Sequence, residues 1–216
     1  MAWIYVAVAA ALAGLAAWRL APRGYHQSDD VVHRRIRWWA APVVAAVGAV
    51  LAGPFFAPQP PVVVVTYLLA LVWGVVLAMI DLEVRRLPDW LTLPAYPVAA
   101  AGLAACSAVT SDWPALLVAA ACAGGSVAVY LLAALVSADS GGLGLGDVKL
   151  AGVRGGLLGW IGWLPAVMGL LTGFIFGGVL AVALLVVRRA DRKSHLSFGP
   201  SMIIAAYLWC VLTVGT

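Results

Sequence analysis

Long apolar runs, broken by short polar stretches, make up most of the chain. Cutting at charged residues and prolines leaves eight apolar segments, at about 2–18, 38–57, 62–80, 91–110, 115–136, 148–160, 163–187 and 196–214. Most approach the ~20 residues a helix needs to cross the ~30 Å hydrocarbon core of a bilayer. The segment 148–160 is shorter and rises only ~20 Å at 1.5 Å per residue. It either crosses incompletely or starts inside a cavity, since irregular backbone at membrane depth must be lined by protein or water. The pattern predicts an all-α membrane protein, a multi-spanning helical bundle of about eight transmembrane segments.

Composition agrees with that solvent. The 216 residues are 64% hydrophobic and 10% charged, against about 25% charged for a soluble domain. Too little polar surface exists to cover a globule in water, so membrane lipid is the implied surrounding. Charge then sets orientation. Placing the N-terminus outside puts the inner segments at 19–37, 81–90, 137–147 and 188–195. Arg19, Arg23, Arg34, Arg35, Arg37, Arg85, Arg86, Arg188, Arg189, Arg192 and Lys193 all fall there, and Lys149 and Arg154 lie in the short helix that begins on that side. All 13 basic residues fit one topology by the positive-inside rule. This sorting explains the formal charge of +4 without a nucleic-acid partner. Trp18, Trp38, Trp39 and Trp90 fall near the inner boundary, and Trp3, Trp113, Trp160 and Trp163 near the outer one. The first segment has no basic region before it, so it reads as a retained helix and not as a signal peptide. Cys106, Cys122 and Cys210 lack CxxC spacing and read as small buried hydrophobes, with no zinc site and no cofactor expected.

Nine acidic residues remain to be placed. Asp112 falls in an outer turn, and Asp29, Asp30 and Asp191 sit among arginines. The other five cluster in "MIDLEVRRLPDWLTLP" (Asp81, Glu83, Asp89) and "SADSGGLGLGDVKL" (Asp139, Asp147). Asp81 follows an unbroken apolar run, which holds it near membrane depth, where a carboxylate is costly and tends to mark function. A helix-end acid paired with Arg85 at i+4 is the structural alternative. Asp147 opens the short segment, where the helix dipole favours an acid. Capping alone explains that placement, but not the four glycines among residues 141–146. Glycines so dense serve close backbone approach or positive φ. Both acids fall on the inner face, and two converging carboxylates share a proton and can act together as general base and acid.

At these residues a resemblance becomes visible. "GLGLGDVKLAG" resembles the GxGD signature (Gly144, Leu145, Gly146, Asp147), "DLEVRRLPDWLTLP" the first aspartate motif, and "HLSFGPSMIIAAY" the PFGP-type start of a last helix. In this order they resemble the type IV prepilin leader peptidases, which are GxGD intramembrane aspartyl proteases. The likeness covers roughly residues 62–214 and divides the chain into an N-terminal transmembrane pair with a basic cytosolic loop (1–61, loop 19–37) and a peptidase core (62–216). It implies that Asp81 and Asp147 are the catalytic pair. It also implies cleavage of a short basic leader from pilin-like precursors at the cytosolic face of the plasma membrane. Many family members carry a cytosolic domain with paired CxxC motifs, associated with metal binding and N-methylation. Residues 19–37 stand in its place without cysteine, so zinc is not expected and methyltransferase activity is in doubt.

Around that pair, Gly144 and Gly146 are expected to serve close approach of the Asp147 backbone. Lys149 is expected to snorkel to the boundary, to steady a carboxylate or to hold substrate. Glu83 and Asp89 are candidates for attracting a basic leader. Gly152/Gly156, Gly155/Gly159 and Gly173/Gly177 have small-xxx-small spacing and read as helix packing. His26, His33 and His195 lack metal-ligand spacing. A rival reading is a multi-pass transporter or channel using Asp81 and Asp147 for ion or proton coupling, but the flanks of the two acids do not repeat as inverted halves would. A Ser–Lys or Ser–His protease built on Lys193, Ser194 and His195 fails because adjacent residues on a helix point apart. A non-catalytic scaffold leaves both acid motifs unexplained.

Overall fold

The computed structural model describes residues 2–20, 38–137, 143–186 and 198–213. Most of the basic loop 19–37, Asp139, Asp191, Ser194 and the three histidines lie outside them. The described residues form ten helices in chain order. These are α1 (Ala2–Leu20), α2 (Ala40–Leu51), α3 (Gly53–Phe56), α4 (Pro61–Val84), α5 (Asp89–Thr92), α6 (Ala95–Thr110), α7 (Trp113–Val136), α8 (Leu145–Ile161), α9 (Trp163–Val186) and α10 (Gly199–Leu212). There is no strand among the described residues. Among the described residues, four spans are long and apolar enough to cross a membrane: Pro61–Val84, Asp89–Thr110, Trp113–Val136 and Trp163–Ala183. Shorter apolar helices occupy Ile4–Arg19, Ala40–Leu51 and Gly199–Leu212. The fold is an all-α, multi-span membrane protein.

Prolines and caps set the breaks. The expected 38–57 segment is two helices, because Gly53 and Pro54 restart the chain as α3. Pro60 is extended at the N-cap of α4, with Pro61 in its first turn, where the missing N–H costs nothing. Pro88 precedes α5, and Pro94 separates α5 from α6. Asp112 is a helix cap as well as a turn acid, since its Oδ1 accepts the Ala115 N–H at 3.1 Å. The short segment expected at 148–160 begins at Leu145, so Gly146 and Asp147 belong to its first turn and not to the preceding loop.

Helix α4 is the central element. Two-thirds of its apolar window (67%) is buried, against 17% for α7 and 22% for α9. The outward faces of α7 and α9 carry Leu132, Leu135, Val136, Ile175, Val179 and Val182, all exposed. Such a surface suits lipid, not water. Helices α7 and α8 pack most intimately, and glycine makes this possible. A Cβ on Gly155 would lie 2.7 Å from the Cys122 carbonyl oxygen, and one on Gly159 would lie 3.0 Å from the Ala119 Cα. Trp18, Trp39, Trp90, Trp113 and Trp163 are exposed at helix ends as a belt requires. Trp38 is instead buried, and Trp160 turns inward to donate its Nε1–H to Ser107 Oγ at 2.9 Å.

Candidate active site

The last turn of α4 and the first turns of α8 and α10 meet at one end of the bundle. A buried apolar cluster that includes Leu77, Leu87, Tyr130, Val148, Leu150 and Met202 lies beside them. Helix α4 runs apolar to Ile80, so its next residue, Asp81, is carried inward and is 4% exposed. The helix then ends at Arg85, which takes a left-handed φ of 53° and donates its N–H to the Asp81 carbonyl at 2.8 Å. The Asp81 carboxylate faces α10, where its Oδ2 accepts the backbone N–H of Gly199 at 2.9 Å.

Asp147 is held by its own helix terminus. Gly144 is the extended N-cap of α8. The Asp147 N–H donates to the Gly144 carbonyl at 3.0 Å. Its Oδ2 accepts the Gly144 N–H at 3.2 Å. This is the carboxylate half of a capping box. Asp147 is 7% exposed, and the like charge of Asp81 acts on it electrostatically. Two acids far apart in sequence are thus brought together, buried, at one end of the bundle. Gly146 allows the approach, because a Cβ there would lie 3.0 Å from the Leu87 Cβ on the α4–α5 link.

The supporting residues divide. Lys149 Nζ is 2.6 Å from Asp89 Oδ1, so it ties α8 to α5. Asp89 is exposed, whereas Glu83 is wholly buried. Of the two acids expected to attract a basic leader, Asp89 is the one that meets solvent. Tyr96 donates its hydroxyl to the Lys149 carbonyl at 2.8 Å, and Trp73 donates its Nε1–H to the Leu91 carbonyl at 3.0 Å. Together these bonds pin α5 and α6 against α4 and α8.

Sequence reading placed Arg154 in the short helix that begins on the basic side, without a partner. That helix carries it inside the bundle, 4% exposed. Its guanidinium donates to the Gly169 carbonyl at 3.2 Å, the Met202 carbonyl at 3.3 Å and the Tyr130 hydroxyl at 3.4 Å. A cation two helical turns inward from Asp147 finds backbone acceptors on α9 and α10, which a count of basic residues by segment could not show. Gly199 was also missed as a site residue. Its only signal was membership of the "SFGP" stretch, to which no role was attached.

Among the described residues, no three His, Cys, Asp or Glu side chains converge to hold a metal. An apolar cleft of about 340 Å³ opens along α4, α6 and α8, lined by Thr66, Trp73, Trp90, Leu91, Val153 and Leu157 among others. It runs along the same two helices that carry the aspartates.

The family model of the type IV leader peptidase family matches residues 68–185. The prepilin leader peptidase/N-methyltransferase of Stutzerimonas stutzeri is 33% identical over 153 residues, which are 66% of this chain and 49% of that protein. Its counterpart from Aeromonas salmonicida (strain A449) is 31% identical over 154 residues, 65% of this chain and 47% of that protein. The Pseudomonas putida protein of the same name is 31% identical over 155 residues, 65% and 48% respectively. The chain therefore spans about half the length of the curated relatives it matches. No solved structure matches it significantly. The matched stretch covers more than half of the chain and includes α8 and most of α4, with both aspartates, and on that match the chain belongs to the type IV leader peptidase family.

Proposed function

We propose that the chain is an intramembrane aspartyl endopeptidase that removes the short basic leader from pilin-like precursors. On this reading the active site lies at the cytosolic face of the plasma membrane. The observation that carries the reading is the buried, mutually interacting pair Asp81–Asp147 on two different helices. Two buried carboxylates that act on each other cannot both ionise comfortably, so they hold one proton between them. The ionised member takes a proton from a water as that water attacks the scissile carbonyl. The protonated member gives its proton to the carbonyl oxygen. Collapse of the tetrahedral intermediate breaks the C–N bond, and the leaving amine takes up the proton drawn from the water.

Other features support the substrate class. The cleft along α4, α6 and α8 suits the apolar segment that follows the leader, with Asp89 exposed nearby to meet the leader's charge. The printed names of the relatives couple peptidase with N-methyltransferase; the proposal covers the peptidase reaction alone.

The test is single replacement, Asp81→Asn and Asp147→Asn, with a co-expressed precursor carrying a basic leader and an apolar helix. Each variant should accumulate in the membrane, since Asn keeps the shape, and each should lose cleavage by at least about 10³-fold, as loss of one member of a catalytic unit does. Cleavage near the wild-type rate in either variant would remove the pair from the mechanism.

A further inference from the structure

The "SFGP" stretch at the start of α10 has no role in the mechanism so far. We propose that Gly199 is a positioning residue for Asp81, an inference that rests on the peptidase reading above. Its backbone N–H fixes the orientation of the Asp81 carboxylate, and its missing side chain is what lets α10 come close enough to do so.

Three observations converge. First, Gly199 N donates to Asp81 Oδ2 at 2.9 Å, and the bond is buried. The donor is the first residue of α10, so the positive end of the helix adds to it. The next residue, Pro200, has no N–H to offer, and the Met202 N–H is spent on the Phe198 carbonyl at 3.1 Å. Second, a Cβ at position 199 would stand 2.7 Å from Asp81 Oδ2, 3.1 Å from its Cγ and 3.3 Å from its Cβ. The backbone at Gly199 lies outside the left-handed region, and alanine is the better helix former. Contact with Asp81, and not conformation, is therefore what excludes a side chain here. Third, the first turn of α10 is wedged from its other side. A Cβ on Gly177 of α9 would collide with the Phe198 ring, so Phe198 seats against bare backbone while its neighbour Gly199 reaches Asp81.

The cheapest relief for any side chain at 199 is rotation of the Asp81 carboxylate off the N–H. That moves a reacting group without unpacking a helix. A displaced base costs turnover more than substrate binding.

The experiment compares Gly199→Ala with wild type and with Gly124→Ala, a helical glycine with open space around it. Leader removal is measured in purified protein, together with thermal unfolding in detergent. Gly199→Ala should lower kcat roughly ten- to hundred-fold, the loss expected for one hydrogen bond to a charged group, with KM within about twofold. Gly124→Ala should leave both unchanged. Gly199→Ala should also lower Tm in the wild-type background, but not in an Asp81→Ala background, where the opposing carboxylate is gone. If Gly199→Ala alone fails to accumulate, restored accumulation in Asp81→Ala/Gly199→Ala supports the proposal and continued failure overturns it. Wild-type kcat in Gly199→Ala, or an equal Tm loss in both backgrounds, also overturns it. Absence of cleavage by the wild-type protein would sink the peptidase reading instead, while the Tm comparison would still decide whether Gly199 holds Asp81.

Discussion

Each carboxylate of the pair is satisfied by a backbone N–H from a helix start, Gly199 for Asp81 and Gly144 for Asp147. That arrangement helps two acids stay buried in a chain with few charges, because donors at helix starts favour negative charge. The cation nearest to Asp147 in sequence, Lys149, is spent on Asp89. An exposed pair of this kind contributes about 0.2–1 kcal/mol, so the acid can serve another purpose. Asp89→Lys should raise KM for a precursor with a basic leader several-fold, and by less for one with a neutral leader, because the lost attraction acts only on charge. Parallel kinetics on the two precursors decide it, and equal changes in KM would remove Asp89 from leader recognition. Asp81 and Asp147 were legible in the sequence because each follows or opens an apolar segment inside a motif. The role of Gly199 was not legible, since it depends on the first turn of α10 meeting the last turn of α4, a contact that spacing along the chain does not encode. The partners of Arg154 were not legible for a similar reason. Positive charge sorts by boundary in the sequence, and only packing shows the carbonyls of Gly169 and Met202 waiting for it.

Among the helices, the α7–α8 contact carries Asp147 and is built on glycine. The small-xxx-small spacing was readable from the sequence, and the structure gives it a partner: Gly155 and Gly159 lie against Cys122 and Ala119 of α7. Without a hydrophobic drive between helices in lipid, such close packing supplies much of their association. Gly155→Ala should destabilise the protein by about 1–3 kcal/mol, the usual cost of overpacking, and lower Tm in detergent. Gly124→Ala, on the same α7 but in open space, should be neutral or stabilising by up to about 1 kcal/mol, because alanine favours the helix. Equal behaviour of the two variants would mean that the glycine contact does not hold α7 to α8. Helix boundaries were less legible than helix existence. Gly53 and Pro54 split one apolar run, Pro94 splits another, and α8 starts three residues early. Cutting at charge and proline cannot see that Asp147, a charged residue, is part of a helix whose N-cap it completes.

Across the molecule, α4, α7 and α9 end where α8 and α10 begin, so the aspartates, Lys149, Arg85 and Arg86 share one end of the bundle. On the proposed reading, with basic residues kept to the inner side, that end faces the cytosol and the N-terminus and the α6–α7 turn face outward. The three native thiols sit within helices, with Cys106 and Cys210 buried and Cys122 partly so, away from an impermeant reagent. Single cysteines can therefore be introduced without removing them. Ser111, in the α6–α7 turn, and Trp90, in α5, are both exposed and lie at opposite ends of the Asp89–Thr110 span. In intact cells a membrane-impermeant maleimide should label Ser111→Cys and leave Trp90→Cys unlabelled until the membrane is permeabilised. The reverse pattern would put the aspartates on the outer face, where a leader still on the cytosolic side could not reach them. Labelling of both in intact cells would mean that α5 and α6 do not cross, and the fold would then lose the span that closes the cleft beside α4 and α8.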